Sequence, residues 1–485
     1  MNITKRILSA FLICVFCLYT CISSYAADAS QTDGTQAENE LTEEEKKMKE
    51  ELDKAYSIPA ESNAWEGWAK GPGTYGEAAI VMEADTGTIL YAKDIDSRQY
   101  PASITKILTA LLALENAQMT DQVVFSHDCV SFLQPGDSSV GLKEGNIITM
   151  EQALYATLLA SANEAAYAVA ENTGKNAGYD YNWFIQKMNS RTKELGGVNS
   201  NFVNPNGLHD ANHYTCARDM ALIGCELFKY PEFFQIVQTL EYKIPKSDTV
   251  EEHVFQQKDK MLRPQNVNYY KYAVGGKTGY TSDALSTLIT MADNGKMKLV
   301  CVVLRTHGKN VYPDTTNLLN YAFKKFKKIQ VSEFEQSQDV EEILEEEGNA
   351  FVVVPKKAEF TDLAMEIRPD GVGSEKGTLV YTYHGNQVGS VKARLSEQYL
   401  EANSLKAEDV TTEDIDSEDS AKETEISDET DESEGFLKEL LQRICDMNVR
   451  ECIILGVLAA LFFVLCILFI IFSYRYRKRK KKRKK

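Results

Sequence analysis

The pattern of apolar and polar positions changes character several times along the chain. Residues 77–94 (EAAIVMEADTGTILYAKD) predict a strand, a turn at Thr86-Gly87 and a second strand. SITKILTALLALENA follows with helical spacing, placing Ile104, Ile107, Leu108, Leu111 and Leu112 on one side. MEQALYATLLASANEAAYAVAEN predicts a second apolar helical region. YDYNWFIQKMNSRTKELG predicts a third helix, closed by Gly196-Gly197, and CARDMALIGCELFKY a fourth. KYAVGGKTGYT, STLITMAD and KLVCVVLRT then read as three strands, with turn signals at Gly279 and at Asn294-Gly295. Strands first, then helices, then strands again fit an α+β sheet built from both chain ends around a helical insert. From about residue 330 to 395 the pattern is β-like (FVVVP, AMEIRP, GTLVYTYHGNQVGSVKARL), which predicts a small C-terminal all-β sandwich domain over 330–400.

Two apolar segments frame this body. Residues 1–26 have the form of a signal peptide: Lys5 and Arg6, an apolar stretch, and Ser24-Tyr25-Ala26 at the cleavage position. Cys452–Phe472 is an uncharged run long enough to span a membrane as one transmembrane helix. The basic tail after it, over 473–485, predicts a cytoplasmic C-terminus. The expected location is therefore the outer face of the cytoplasmic membrane, as a single-pass protein cut near Ala26. Residues 27–74 read as an acidic spacer carrying a charged helix, 401–435 as a disordered acidic linker, and 436–451 as a juxtamembrane amphipathic helix.

Charge sharpens the picture. The 485 residues carry a net charge of −18, which argues against nucleic acid as a partner. The charge is uneven. Fifteen acids and two lysines lie between Glu401 and Glu434, and ten of the last eleven residues are basic, a tail suited to anionic headgroups. Of ten cysteines, only Cys129, Cys216, Cys225 and Cys301 fall in the predicted exported body. No disulfide framework is expected, and Cys301 in KLVCVVL reads as a buried thiol.

Three short motifs carry chemistry. In PASITK, Ser103 and Lys106 are three apart and share a face. A serine hydroxyl is a weak nucleophile and needs a base, which a lysine of lowered pKa supplies. A second match, Ser190-Arg191-Thr192-Lys193, sits in a charged helix and reads as a solvated face. Ser161-Ala162-Asn163 interrupts an apolar helical run, as helix-boundary caps or as a polar pair facing a cleft. In Gly275-Gly276-Lys277-Thr278-Gly279, lysine and threonine suit a carboxylate, and glycine lets another backbone approach. The spacing of a phosphate-binding loop is missing. The four-residue spacing of His209 and His213 resembles a zinc helix, but the segment reads HDANH, without the glutamate. No metal and no cofactor are implied. Arg218-Asp219 reads as a structural pair at a helix start, and Gly385–Gly389 (GNQVG) as a strand bend.

Taken together and in this order, the three motifs resemble those of the penicillin-recognising serine enzymes, SxxK, SxN and KTG. More closely, the chain resembles the low-molecular-mass penicillin-binding proteins that act as D-alanyl-D-alanine carboxypeptidases, over about residues 75–400. That resemblance implies a β-lactamase/transpeptidase-like sheet with a helical subdomain over 75–329. It implies Ser103 as nucleophile, Lys106 as general base, Ser161 as proton relay, and Asn163 on the substrate amide. Lys277 and Thr278 would bind the terminal carboxylate. The N–H groups of Ser103 and Tyr280 would form the oxyanion hole, and the strand at Gly279 would pair with the peptide.

The implied substrate is the peptidoglycan pentapeptide stem, with β-lactams as covalent inhibitors. Removal of the terminal D-alanine would limit cross-linking, in a Gram-positive-type cell wall. Ala162 stands where class A β-lactamases carry aspartate, and no ExxLN segment is found, so penicillin should be trapped rather than turned over. The rivals are a β-lactam sensor, a silent wall-binding protein, and a DD-endopeptidase using the same site.

Overall fold

The computed structural model describes residues 42–410, residues 347 and 372 aside. The expected signal peptide, the start of the spacer, the acidic linker beyond 410, the juxtamembrane helix, the membrane span and the basic tail lie outside the described residues. Among the described residues no helix is long and apolar enough to cross a membrane.

Helix α1 (Glu43–Ser57) is charged and opens on a capping box between Thr42 and Glu45. Strands β1 (Ala78–Glu83) and β2 (Ile89–Lys93) follow. The helical insert comprises α2 (Lys106–Asn116), β3 (Gln122–Val124), α3 (His127–Ser131), β4 (Ile147–Thr149), α4 (Met150–Leu158), α5 (Asn163–Asn176), α6 (Tyr181–Glu194), α7 (Ala217–Glu226) and α8 (Pro231–Gln238). After a hairpin of β5 (Glu241–Ile244) and β6 (His253–Gln256), the chain returns through β7 (Ala273–Thr281), β8 (Leu285–Asp293) and β9 (Lys298–Thr306). Helix α9 (Val311–Lys325) leads to β10 (Phe326–Gln330), the short α10 (Val331–Phe334), β11 (Val340–Ile343), β12 (Phe351–Pro355), β13 (Ala364–Pro369), β14 (Lys376–Tyr383), β15 (Asn386–Leu395) and α11 (Glu397–Val410).

The main sheet is antiparallel in the order β2-β1-β9-β8-β7. Strands from both ends of the insert thus meet at β1 and β9, where Val81 faces Cys301. All six β1 residues are buried, and β9 is buried over most of its length. Both faces of the sheet are covered, so these strands read as apolar runs instead of alternating. One face packs against the helical insert through residues such as Ile80, Val302, Leu108, Ala165 and Met220. The other packs against α9 and the C-terminal strands through Val81, Leu288, Cys301, Leu319, Val352 and Tyr381. Strand β7 forms one edge, and that edge carries Lys277, Thr278 and Gly279.

The structure departs from the sequence reading at several points. Gly279 is not in a turn. It lies within β7, paired with Thr287, and the β7–β8 connection comes after Thr281. The late part of the expected spacer is packed. Trp68 is buried and donates its indole N–H to the Leu90 carbonyl at 3.1 Å, and buried Lys93 donates to the carbonyls of Ala55, Thr74 and Gly76. Helix α9 went unread because Pro313 and polar residues dilute its apolar stripe, although Val311, Thr315, Leu318, Leu319 and Ala322 are all buried. Proline is tolerated there because it sits in the first turn.

The C-terminal strands form a β10–β12 pair and a sheet ordered β11-β15-β14-β13. They begin at Phe326, and α11 continues past residue 400 into the expected linker. Arg191 is not on a solvated face: it is half-buried and bridges Glu115 and Glu226, each at 2.9 Å. Arg218 and Asp219 do not pair with one another. Arg218 holds Asp96, and buried Asp219 accepts from the backbone of Val198 and Asn199.

Candidate active site

Ser103 sits in a 3-10 turn (Ala102–Thr105) that runs directly into α2, whose first residue is Lys106. The turn brings the two side chains together: Lys106 Nζ lies 3.0 Å from Ser103 Oγ. Lys106 is fully buried. Its ammonium also reaches Asn163 Oδ1 at 2.8 Å and the Asn206 carbonyl at 2.6 Å. Burial pushes its pKa well below that of an ordinary lysine. Lys277 and Lys258 push the same way, against Glu164.

The second motif fills the break between α4 and α5. Ser161 has a left-handed backbone (φ 63°), uncommon outside glycine, and only 7% of its surface is exposed. That strained turn, of order 1–3 kcal/mol, places Ser161 on the cleft wall with Ser103. Asn163 opens α5 and binds Lys106, so the polar pair is a cleft feature and a helix start at once. Its N–H donates to the Ser138 carbonyl at 2.8 Å. The next residue, buried Glu164, accepts from Ser139 Oγ, Val140 N and Gly141 N, which ties the 138–141 loop to the site.

The third motif is the β7 edge. Lys277 is 2% exposed, and its ammonium lies 2.8 Å from the Thr278 carbonyl. Burial lowers its pKa to about 7, partly offset by buried Asp259 and reinforced by Lys258. Two glycines permit the close approach of the segments. A Cβ on Gly279 would lie 2.9 Å from Ser103 N and 3.0 Å from the Pro101 carbonyl, and closer still to Thr287 Oγ1. A Cβ on Gly207 (φ 82°) would press still harder, on the Ala102 carbonyl. Thr287 Oγ1 donates to the Pro101 carbonyl at 2.8 Å, locking β8 to the turn that carries Ser103.

These elements enclose a cleft of about 360 Å³ that is lined by Ser103, Ser161, Thr278, Gly279 and Tyr280. Lys106, Asn163 and Lys277 stand behind that lining. Ser138, Lys258, Lys260, Thr287, Lys309 and Tyr312 complete the neighbourhood, and the sequence reading did not single them out. The run Lys258-Asp259-Lys260 was legible only as a charge cluster. The Asn206 carbonyl carries no side-chain signal at all. His213 is buried, with Nε2 2.9 Å from Thr105 Oγ1, and His209 stands 3.7 Å from Asp283. Among the described residues no group of three acidic, histidine or cysteine side chains could hold a metal ion. Cys129, Cys216, Cys225 and Cys301 are free thiols.

Comparison with known proteins converges on the same region. A family model described as D-alanyl-D-alanine carboxypeptidase matches residues 69–308. The D-alanyl-D-alanine carboxypeptidase DacF of Bacillus subtilis is 30% identical over 354 residues, 67% of this chain and 86% of the relative. The corresponding DacA of Haemophilus influenzae is 26% identical over 375 residues, 72% of this chain and 91% of the relative. The crystal structure of penicillin binding protein 5 from Haemophilus influenzae superposes with a TM-score of 0.54 at 23% identity, covering 67% of this chain and 98% of that one, a likeness of fold.

Proposed function

The chain belongs to the D-alanyl-D-alanine carboxypeptidase family, and from that premise we propose how its cleft works. It is a serine peptidase that removes the terminal D-alanine from peptidoglycan stem peptides. The reading of its mechanism rests above all on the 3.0 Å contact between Ser103 Oγ and the buried Lys106 amine.

In this reading Ser103 Oγ attacks the carbonyl between the two terminal D-alanines and passes its proton to Lys106. The N–H groups of Ser103 and Tyr280 hold the oxyanion. Lys277 and Thr278 hold the terminal carboxylate, and Asn163 the peptide amide. The peptide lies along the open edge of β7 as an added strand, the geometry that Gly279 keeps clear. Collapse expels D-alanine, with a proton delivered to its amine through Ser161. Water then attacks the ester and frees Ser103.

The strands from Phe326 onward, with the short α10 among them, are read as a second, mainly β domain. In the same reading, which rests on the sequence pattern alone, the protein sits on the outer face of the cytoplasmic membrane, cut near Ala26 and held by Cys452–Phe472. Release of the chain from washed membranes without detergent would contradict that placement. The activity itself is tested by quantifying D-alanine released from a pentapeptide ending in D-Ala-D-Ala. Release that disappears in Ser103→Ala is expected. A folded protein that is acylated by penicillin yet releases no D-alanine would move the reading to a sensor.

A further inference from the structure

On the far side of the main sheet from the helical insert, five lysines converge on one cavity of about 640 Å³. They come from three separate segments. Lys324 and Lys325 end α9, Lys356 and Lys357 follow β12, and Lys70 follows the buried Trp68. The pairing of β10 with β12 sets Phe326 opposite Pro355, and Lys356 N donates to the Lys325 carbonyl at 2.9 Å. Two Lys-Lys steps are therefore fixed side by side on a rigid frame. Gly67, Trp68, Ala69 and Pro355 supply the uncharged wall.

All five lysines are exposed, and among the described residues none makes an ion pair. The neighbouring lysines behave differently. Lys327 holds Glu359 at 3.2 Å, Lys328 lies between Glu83 and Asp85, and Lys298 holds Asp85 at 3.1 Å. Glu83, Asp85 and Glu359 are thus committed to other lysines. In a chain of net charge −18, an all-cation cavity is not the background composition. Favourable placement at a helix C-terminus accounts for Lys324 and Lys325. It does not account for Lys70, Lys356 or Lys357.

We propose that this cavity binds a phosphodiester polymer, with the lysines holding successive phosphates and the Trp68–Pro355 wall packing the uncharged units between them. Ammonium groups serve phosphate as point charges and do not need the bidentate geometry of arginine. A flexible chain with one negative charge per unit matches several cations spread over one cavity, which a single monoanion would not. A flat anionic membrane fits less well, because Glu61 and Glu66 are exposed on the segment that leads into the cavity.

The test uses the full-length chain in neutral detergent, with the ten basic residues of 475–485 changed to glutamine so that the tail does not hold the probe, and a fluorescent glycerol-phosphate oligomer of about ten units, read by anisotropy. The quadruple Lys→Gln variant at 324, 325, 356 and 357 is compared with a variant of equal charge change on α1, at Lys46, Lys47, Lys49 and Lys54. Both variants should be acylated by penicillin at the unmodified rate, which reports an intact fold. The cavity variant should bind the oligomer at least tenfold more weakly and with a shallower salt dependence, because fewer counterions are released. The α1 variant should stay within about twofold. Equal losses in the two variants, or no loss in the cavity variant, would overturn the proposal. So would a cavity variant that binds the oligomer normally but loses binding to glycerophosphoglycerol, the free headgroup of phosphatidylglycerol.

Discussion

Lys106 Nζ has three close partners, and only one of them can give it a proton. Asn163 Oδ1 and the Asn206 carbonyl are acceptors, at 2.8 and 2.6 Å, and Ser103 Oγ lies at 3.0 Å. In the neutral amine, two N–H bonds are taken up by the two carbonyls. The lone pair is left facing the Ser103 hydroxyl, the orientation a general base requires. The buried position that lowers the lysine pKa and the carbonyls that orient the amine act on the same atom.

Replacing that amine should therefore separate catalysis from binding. Lys106→Met keeps an unbranched side chain one atom shorter and removes the base. Penicillin acylation and D-alanine release should both fall by about 10²–10⁴-fold, the range for a positioned general base. Lys106→Arg should not rescue, because guanidinium stays protonated. Stability should drop by about 1–3 kcal/mol in the methionine variant, since two buried carbonyls lose their donor. Stopped-flow acylation and thermal unfolding measure the two effects. Near-normal acylation in Lys106→Arg would contradict the base assignment.

The two buried lysines predict a bell-shaped pH profile with assigned limbs. Lys106 must be neutral, so activity rises with pH through its lowered pKa. Lys277 must be charged to hold a carboxylate, so kcat/KM falls as pH passes about 7. A bound carboxylate stabilises the ammonium of Lys277, so the alkaline limb of kcat should lie at higher pH than that of kcat/KM. A kcat/KM that climbs steadily to pH 10 would remove Lys277 from carboxylate binding.

Gly279 is held by space and not by turn geometry. Gly279→Ala would drive a methyl group against Thr287 Oγ1, Ser103 N and the Pro101 carbonyl. Overpacking of this kind costs about 1–3 kcal/mol. Displacing β7 from Ser103 should slow acylation by at least about 10²-fold. Thr287→Ala in the same chain should recover part of the stability, because it removes the nearest clash, but little of the rate. Circular dichroism melts and acylation kinetics on the single and double variants check both claims. Unchanged acylation in Gly279→Ala would show that β7 does not form the cleft edge.

Residue type and spacing made much of the site legible. SITK, SAN and KTG each name side chains with few other uses in that order, and the structure brings all three to one cleft. What escaped was carried by backbone and by long-range packing. The Asn206 carbonyl that binds Lys106 leaves no mark in composition. Lys258 and Asp259 look like any surface charge run until the fold buries Asp259. Gly279 reads as a turn because glycine signals turns more often than close approach, and only the packing of Ser103 against β7 separates the two. In the fold, the apolar strands were plain because both sheet faces are covered. Helix α9 was hidden by its polar positions, and the packed segment around Trp68 by the acidic stretch before it.

The most direct test of the central claim is mass spectrometry of the full chain after brief exposure to benzylpenicillin, with Ser103→Ala treated in parallel. A covalent adduct mapped to Ser103, persisting for minutes and absent from the variant, is the predicted result. A folded protein that carries no adduct, or one attached to any other residue, would contradict Ser103 as the nucleophile.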